Sequence, residues 1–249
     1  MDPLVRKALE AATETKHLVV GRGVLAEVPV LFEAAFPGRA AVVIADTNTF
    51  EVAGRQVVDA FRRGSIPTGD PFVFDDPDLY AEYRFVERLT AFLKTTEAVP
   101  VAVGSGTIND LTKLCAHQTG RRYMSVATAA SMDGYTAYGA SITYKGSKQT
   151  LDCPAPLAVL ADLDVIVGAP PEMNASGYAD LMAKVTAGAD WILADGLGVE
   201  PIDAGIWEMI QGRLRTWLAD PDGIRNADPE VLARLMEGLV MGGFAMQAS

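Results

Sequence analysis

The chain has 249 residues and a mass of 26.5 kDa, which is long enough for one large domain or two small ones. Apolar residues make up 49% and charged residues 21% of the sequence, and this composition excludes a disordered, collagen-like or coiled-coil protein. The 21 basic and 32 acidic residues give a net charge of −11. Because no basic run is present, nucleic acid is not an expected partner.

The cysteine usage and the apolar pattern indicate a cytoplasmic protein. Cys115 and Cys153 match no metal or redox spacing, and two cysteines cannot form a disulfide framework. No run of about 18 apolar residues occurs, so no membrane span is expected. Charged residues stand near the start of the chain, where an export signal has its apolar core. We therefore predict a soluble protein without a targeting segment.

The first two-thirds of the chain alternate short β-branched runs with longer helical patterns, which is typical of an α/β fold with a parallel sheet. The runs at 40–45 and 100–103 are apolar throughout, as in strands that are covered on both faces. We predict a Rossmann-like, dinucleotide-binding domain over residues 1–169. Its predicted strands are 17–20, 40–45, 71–74, 100–103, 122–127 and 157–161, with an edge hairpin around 142–144 and helices at about 50–63, 80–96 and 107–118.

Residues 170–249 are rich in Ala, Leu and Met and have few β-branched runs. Their periodicity predicts an all-helical domain with helices at about 175–195, 202–218 and 229–246. Three helices make a thin bundle beside a full α/β domain, and the sequence stops at Ser249 directly after an apolar helix. We therefore expect this domain to be truncated.

A glycine-containing turn follows the strand at 100–103. The run Gly104-Ser105-Gly106-Thr107-Ile108-Asn109-Asp110 opens a helix, and its small residues would let the backbone approach a diphosphate at the helix N-terminus. The third glycine of the common dinucleotide fingerprint is missing, so a plain tight turn is an equal alternative. Asp46 ends an earlier strand, where a carboxylate can bind a ribose, but Thr47 and Asn48 behind it also make it a candidate helix N-cap.

A third strand is followed by hydroxyl and carboxylate side chains. Thr128, Ser131 and Asp133 should reach the same edge of the sheet, where open α/β folds bind ligands, although a polar turn closed by Asp133-Gly134 is the simpler interpretation. Asp180 lies in an apolar helical stretch. A salt bridge to Lys184, four residues on, explains it structurally, and a role as a metal ligand explains it functionally.

Other catalytic chemistry has little support in the sequence. His17 and His117 are the only histidines, and both stand where ordinary surface or partly buried histidines occur. No Gly-x-Ser-x-Gly elbow is present, so a hydrolase with a nucleophilic triad is disfavoured.

Four motifs in order resemble a known family. Gly104-Ser105-Gly106-Thr107-x-x-Asp110-x-x-Lys113 is similar to the Gly-Gly-Gly-Ser/Thr-x-x-Asp-x-x-Lys pattern of the iron-containing alcohol dehydrogenase and glycerol dehydrogenase superfamily, which shares its fold with dehydroquinate synthase. With the runs 128–134, 155–163 and 177–184, the chain resembles the glycerol-1-phosphate dehydrogenase family within that superfamily. The likeness extends from about residue 17 to the C-terminus.

The resemblance implies a role for each matching residue. Asp133 would bind substrate beside the nicotinamide, and Asp180 would be a metal ligand that borders the substrate, so these two are the candidate catalytic residues. The cofactor-binding residues would be Asp46 at the adenosine ribose, Gly104, Ser105, Gly106, Thr107 and Ile108 at the diphosphate, and Thr128 and Ser131 elsewhere on the cofactor.

The resemblance also implies a reaction. NADH or NADPH would reduce dihydroxyacetone phosphate to sn-glycerol 1-phosphate, while a divalent zinc, nickel or iron ion polarises the carbonyl. Asp46 favours NAD over NADP, because a carboxylate repels a 2′-phosphate. A homodimer or higher homo-oligomer is expected.

The sequence departs from the family pattern at two points. Ala137 stands where the family often has a serine. The family completes its metal site with two histidines further along, and Asp180 is the only matching ligand here. Three alternatives therefore stay open: a glycerol dehydrogenase, a more distant dehydroquinate synthase, and a dinucleotide-binding module without catalysis.

Overall fold

The computed structural model describes residues 2–248. Six parallel strands form one sheet in the order β3-β2-β4-β5-β8-β1, and a separate antiparallel hairpin consists of β6 and β7. The strands are β1 (His17–Gly21), β2 (Ala41–Asp46), β3 (Phe72–Phe74), β4 (Val99–Gly104), β5 (Met124–Ala127), β6 (Ala140–Tyr144), β7 (Ser147–Leu151) and β8 (Ala158–Asp162).

Helices connect these strands and make up the rest of the fold. The helix after β2 is continuous through α3, a π-helical turn at Phe50–Gly54, and α4. The helices are α1 (Pro3–Ala11), α2 (Val28–Ala35), α3 (Thr47–Thr49), α4 (Arg55–Arg63), α5 (Tyr83–Leu93), α6 (Gly106–Gln118), α7 (Leu163–Val167), α8 (Pro171–Gly196), α9 (Ala204–Gln211), α10 (Leu214–Trp217), α11 (Pro221–Arg225) and α12 (Pro229–Ala248).

The sheet is covered on both faces, as the apolar runs predict. Val43 on β2 packs into a cluster with Phe32 and Phe61 on one face. The next residue, Ile44, packs into a second cluster with Leu89 and Leu111 on the other face. Successive strand side chains point to opposite faces, so a strand between two helical layers is apolar at every position.

Strand register brings three predicted site segments to one edge. Ile44 of β2 lies opposite Ala102 of β4, and Gly104 of β4 lies opposite Ala127 of β5. Because the strands are parallel, the residues that follow them share the carboxyl edge of the sheet. The ends of β2, β4 and β5 therefore meet there.

The helical part packs around α12. Leu235, Leu239 and Phe244 of α12 are buried in a cluster with Leu181 of α8 and with Val5 of α1. This cluster also includes sheet residues, so the division into two domains near residue 170 stays a prediction. Among residues 2–248 no helix is long and apolar enough to cross a bilayer.

Several helices of the structure differ from the predicted ones. α1, α2, α7 and α11 were not predicted, although Asp2 caps α1 through a 2.7 Å hydrogen bond from the Leu4 amide and Pro3 is its first residue. The single helix predicted at 202–218 is wrong: it is divided into α9 and α10. The two helices are separated by Gly212 and Arg213. The backbone is tight at this point, because a Cβ on Gly212 would lie 2.7 Å from the Glu208 carbonyl oxygen.

Candidate nucleotide and substrate site

The glycine turn between β4 and α6 lets neighbouring side chains pack closely against its backbone. A Cβ on Gly104 would lie 2.6 Å from the Cβ of Ile108, and one on Gly106 would lie 3.1 Å from the Met132 sulfur. Ser105 precedes α6 but makes no side-chain cap to the helix. The 13-residue α6 therefore presents an uncapped N-terminus at the carboxyl edge of the sheet, and such a terminus fits a nucleotide diphosphate.

Asp46 is a helix cap in the structure. Its Oδ1 accepts hydrogen bonds from the amides of Asn48 and Thr49 at 2.8 and 2.9 Å, and the Thr49 hydroxyl accepts one from the Asp46 amide at 3.1 Å. This reciprocal arrangement is a capping box. The structural alternative for Asp46 is thus correct, and its role at a ribose stays a prediction.

The loop after β5 is tied to the glycine turn and to itself. The Thr128 amide donates to the Gly104 carbonyl at 3.2 Å, and the Tyr135 hydroxyl donates to the Ala129 carbonyl at 2.8 Å. Thr128 is buried, whereas Ser131 is partly exposed. Their contacts with a cofactor stay predictions.

The two acids assigned to the substrate and the metal lie together, although 47 residues separate them. The Asp133 amide donates to Asp180 Oδ2 at 2.7 Å. The Lys184 ammonium nitrogen is 2.6 Å from Asp133 Oδ2 and 3.9 Å from Asp180 Oδ1. The helical pair predicted between Asp180 and Lys184 is therefore present but long, and the shorter ion pair of Lys184 is with Asp133.

A close approach of two backbone segments brings these acids together. α8 passes so near the loop after β5 that a Cβ on Gly177 would lie 2.0 Å from the Ala130 carbonyl oxygen. Asp180 follows one helical turn later on α8. Because Gly177 has no side chain, α8 can lie close enough to the loop for Asp180 to contact Asp133.

The surroundings of Asp180 change its ionisation. Burial, followed by the neighbouring Asp133 charge, raises the pKa of Asp180 above its ordinary value of 3.8. The hydrogen bond from the Asp133 amide and the charge of Lys184 act in the opposite direction but do not cancel the rise.

One cleft joins the glycine turn to the acid pair. Its volume is about 600 Å³. Gly106 and Thr107 of the turn line it together with Asp133, Asp180 and the Met132 side chain. The β6–β7 hairpin forms the opposite wall with Ser141, Thr143, Lys148 and Thr150. The structure thus brings the helix N-terminus and both predicted catalytic carboxylates into one space.

Several buried polar residues of α6, among them Asn109, Asp110 and Lys113, have no role in the predictions from sequence. Asn109, Asp110 and Lys113 are all at most 9% exposed. The matched motif contains Asp110 and Lys113, so the signal was present in the sequence. Burial raises the pKa of the Asp110 carboxyl and lowers the pKa of the Lys113 ammonium, and the 3.9 Å pair between them opposes both shifts.

The described residues do not by themselves fit a catalytic metal ion. Within residues 2–248 no group of three or more His, Cys, Asp or Glu side chains is placed to hold one. Asp133 and Asp180 provide two carboxylates, and Lys184 already contacts both. Catalytic zinc sites use three protein ligands. The assignment of Asp180 as a ligand of zinc, nickel or iron therefore stays a prediction.

Replacing Asp180 with Asn should slightly raise the free energy of unfolding at pH 7. A raised pKa means that the fold favours the protonated carboxyl, so ionisation weakens the fold as the pH rises from 3.8 through the raised value. Asparagine keeps an oxygen acceptor for the Asp133 amide but carries no charge. Denaturant unfolding should show the benefit of Asp180→Asn at pH 7 and none at pH 3. An equal loss of stability at both pH values would contradict this account.

The six-stranded parallel sheet, with a helix N-terminus at its carboxyl edge, places the chain in the class of open α/β proteins, which bind ligands at that edge. The comparison with known families is more specific. The profile of the iron-containing alcohol dehydrogenase family matches residues 19–170. The chain belongs to this family.

Curated relatives share a common name. A glycerol-1-phosphate dehydrogenase (NAD(P)+) of Bacillus velezensis is 34% identical over 218 residues, which are 83% of this chain and 53% of that protein. A protein with the same name from Geobacillus stearothermophilus is 32% identical over 233 residues, which are 93% of this chain and 57% of that protein. The chain thus spans just over half the length of these relatives.

Solved structures confirm the fold. A glycerol dehydrogenase from Schizosaccharomyces pombe superimposes with a TM-score of 0.67 at 21% identity, covering 92% of this chain and 61% of that chain. A probable glycerol dehydrogenase from Sinorhizobium meliloti gives a TM-score of 0.75 at 16% identity, covering 95% of this chain and 66% of that chain. At this identity the likeness concerns the architecture alone.

Proposed function

We propose that this chain provides the nucleotide site and part of the substrate site of an NAD(P)-dependent dehydrogenase that interconverts dihydroxyacetone phosphate and sn-glycerol 1-phosphate. The observation that carries the proposal is the single cleft that joins the N-terminus of α6 to Asp133 and Asp180. The name shared by the curated relatives supports the choice of substrate.

The residues of the chain bind and orient the reactants. The amides of the glycine turn and the N-terminus of α6 hold the diphosphate, and Thr128 and Ser131 contact the rest of the cofactor. The bound nucleotide supplies the hydride. Asp133 accepts a hydrogen bond from a substrate hydroxyl, and the 2.6 Å ion pair with Lys184 holds the Asp133 carboxylate in place.

A nucleotide-binding module without catalysis is the second candidate. It is favoured by the lack, among the residues that the structure describes, of a three-ligand metal group. A glycerol dehydrogenase is distinguished from both by its substrate, which has no phosphate.

Turnover by the purified chain tests the proposal. NADH and NADPH oxidation is followed with dihydroxyacetone phosphate and with dihydroxyacetone, each with and without added nickel or zinc. We expect turnover of the phosphorylated substrate only, which Asp133→Asn reduces by at least about a hundredfold. Preference for dihydroxyacetone would favour a glycerol dehydrogenase. Nucleotide binding without any turnover would favour the non-catalytic module.

Replacing Asp46 with Ser should change nucleotide preference without unfolding the chain. Serine is a good N-cap, so the cap of α3 is kept, while the carboxylate that would repel a 2′-phosphate is removed. We expect the ratio of NADPH to NADH affinity to rise about tenfold, in line with the loss of one close charge repulsion. Asp46→Asn, which also caps helices, is the matched variant. An unchanged ratio in both variants would place the ribose elsewhere.

The expected homo-oligomer is also a proposal. Apolar side chains are exposed along α8 and at its C-cap, among them Val185, Ile192, Leu193 and Leu197, each at least 51% accessible. Isolated monomers rarely expose large contiguous apolar patches. Light scattering on the purified chain should give a mass above 26.5 kDa.

A further inference from the structure

A buried ammonium group lies inside the loop that carries Asp133. The Lys113 side chain is fully buried, and its Nζ donates to the carbonyl oxygens of Gly134, Ala137 and Gly139 at 3.0, 2.8 and 2.8 Å. An ammonium group has three N–H donors, so these three carbonyls use all of them. Because a buried charge is tolerated only when it is paired and hydrogen-bonded, the loop must keep this curvature around the nitrogen.

The neighbours of Lys113 on α6 bind the same loop. The Asn109 amide group donates to the Gly134 carbonyl at 3.2 Å, and Asp110 Oδ2 accepts from the Ser141 amide at 3.1 Å. Asp110 also lies 3.9 Å from the Lys113 nitrogen. One polar face of α6 is thus attached to both ends of the segment 134–141.

The same helix begins at the glycine turn. Gly106 is its first residue, and Lys113 lies two turns further along. Asp133 directly precedes the loop that Lys113 binds. The Asp133 amide donates to Asp180 on α8. α6 therefore connects the glycine turn at one end of the cleft with the loop that follows Asp133 at the other end.

We propose that Lys113 is a positioning residue that fixes the segment 133–141, and through it the Asp133 carboxylate, relative to the glycine turn. The inference deepens the proposed function and rests on it for the identity of the ligands. It assigns to the lysine of the Asp-x-x-Lys motif the contacts with three backbone carbonyls. An apolar side chain of the same length cannot replace these three bonds.

Chemical rescue of Lys113→Ala tests this assignment. The substitution removes the propylammonium portion of the side chain, so added n-propylammonium can occupy the space and donate to the three carbonyls. Tetramethylammonium at the same concentration carries the charge without N–H donors and is the matched control. Hydrogen exchange of the amides in 133–141 is the measurement, with the amides of β2 as the internal reference.

We expect exchange in 133–141 to be at least about tenfold faster in Lys113→Ala, because a lost hydrogen bond to a charged group has roughly this effect on an equilibrium. n-Propylammonium should restore slow exchange and tetramethylammonium should not. Lys113→Met, which fills space without donating, should resemble Lys113→Ala. Unchanged exchange in both variants, or equal effects of the two cations, would overturn the proposal.

Two further measurements keep the test decisive. If Lys113→Ala is unfolded in buffer, refolding is followed in each cation: recovery only in n-propylammonium supports the proposal, and failure in both overturns it. In the wild-type chain, the amides of Thr136, Gly139 and Ser141 should exchange as slowly as those of β2, and fast exchange would also overturn it. Hydrogen exchange needs no turnover, so a chain that binds nucleotide but turns over no substrate would count against the proposed reaction and leave the role of Lys113 standing.

Discussion

Gly177→Ala is expected to destabilise the fold by about 3 kcal/mol or more, at the upper end of the range for overpacked positions. The new Cβ would lie 2.0 Å from the Ala130 carbonyl oxygen and 2.8 Å from its carbonyl carbon. Both are backbone atoms, so no side-chain rotation relieves the overlap. α8 must move away from the loop after β5, and Asp180 then moves away from Asp133. Denaturant unfolding measures the loss.

The same substitution at Gly196 is the control. Gly196 is the last residue of α8, and a Cβ there would meet nothing within 4 Å. Gly196→Ala should therefore change the free energy of unfolding by less than about 1 kcal/mol, the size of the helix-propensity difference. Equal effects of the two substitutions would show that α8 does not make the close approach at Gly177.

Lys184→Met is expected to cost about 2 kcal/mol of stability, somewhat less than the loss on breaking a fully buried ion pair. The Lys184 side chain is 23% exposed and its partner Asp133 is 14% exposed, so both charges are largely removed from water. Without the ammonium group, the Asp133 and Asp180 carboxylates face each other with no cation between them. Methionine keeps the volume of the side chain, which isolates the effect of the charge.

A double-mutant cycle identifies the partner of Lys184. Combining Lys184→Met with Asp133→Asn removes both ends of the 2.6 Å pair and should recover most of the lost stability. Combining it with Asp180→Asn should recover less, because that pair is 3.9 Å long. The reverse order would restore the interpretation of Lys184 as a simple helical partner of Asp180.

The strands of the sheet were predictable one by one because each shows a local pattern, whereas their order in the sheet was not predicted. β2 and β4 are buried on both faces, and a strand in that position is apolar at every residue. The glycine turn was equally visible, since the small residues occupy the point where β4 passes into α6. Several short helices were missed. α1 has nine residues and packs on α12, more than 200 residues away.

The site was predictable as a set of residues but not as a set of contacts. Asp133 and Asp180 were selected through the family resemblance, and the structure places them in hydrogen-bonding contact. Helical spacing pairs Lys184 with Asp180, because periodicity predicts only contacts within one helix. The shorter ion pair of Lys184 is with Asp133, which lies in a loop in another part of the chain. The motif contains Lys113, but hydrophobic periodicity does not predict its contacts, since its partners are backbone carbonyls of a distant loop.

Equilibrium titration of the folded wild-type chain with NADH, followed by the fluorescence of the nicotinamide, tests the central claim most directly. If the turn between β4 and α6 is a nucleotide site that opens into the cleft of Asp133 and Asp180, binding is saturable. Gly106→Val, which places a branched side chain against Met132 at the helix N-terminus, then weakens it at least about tenfold. A folded wild-type chain that binds neither NADH nor NADPH would contradict the account.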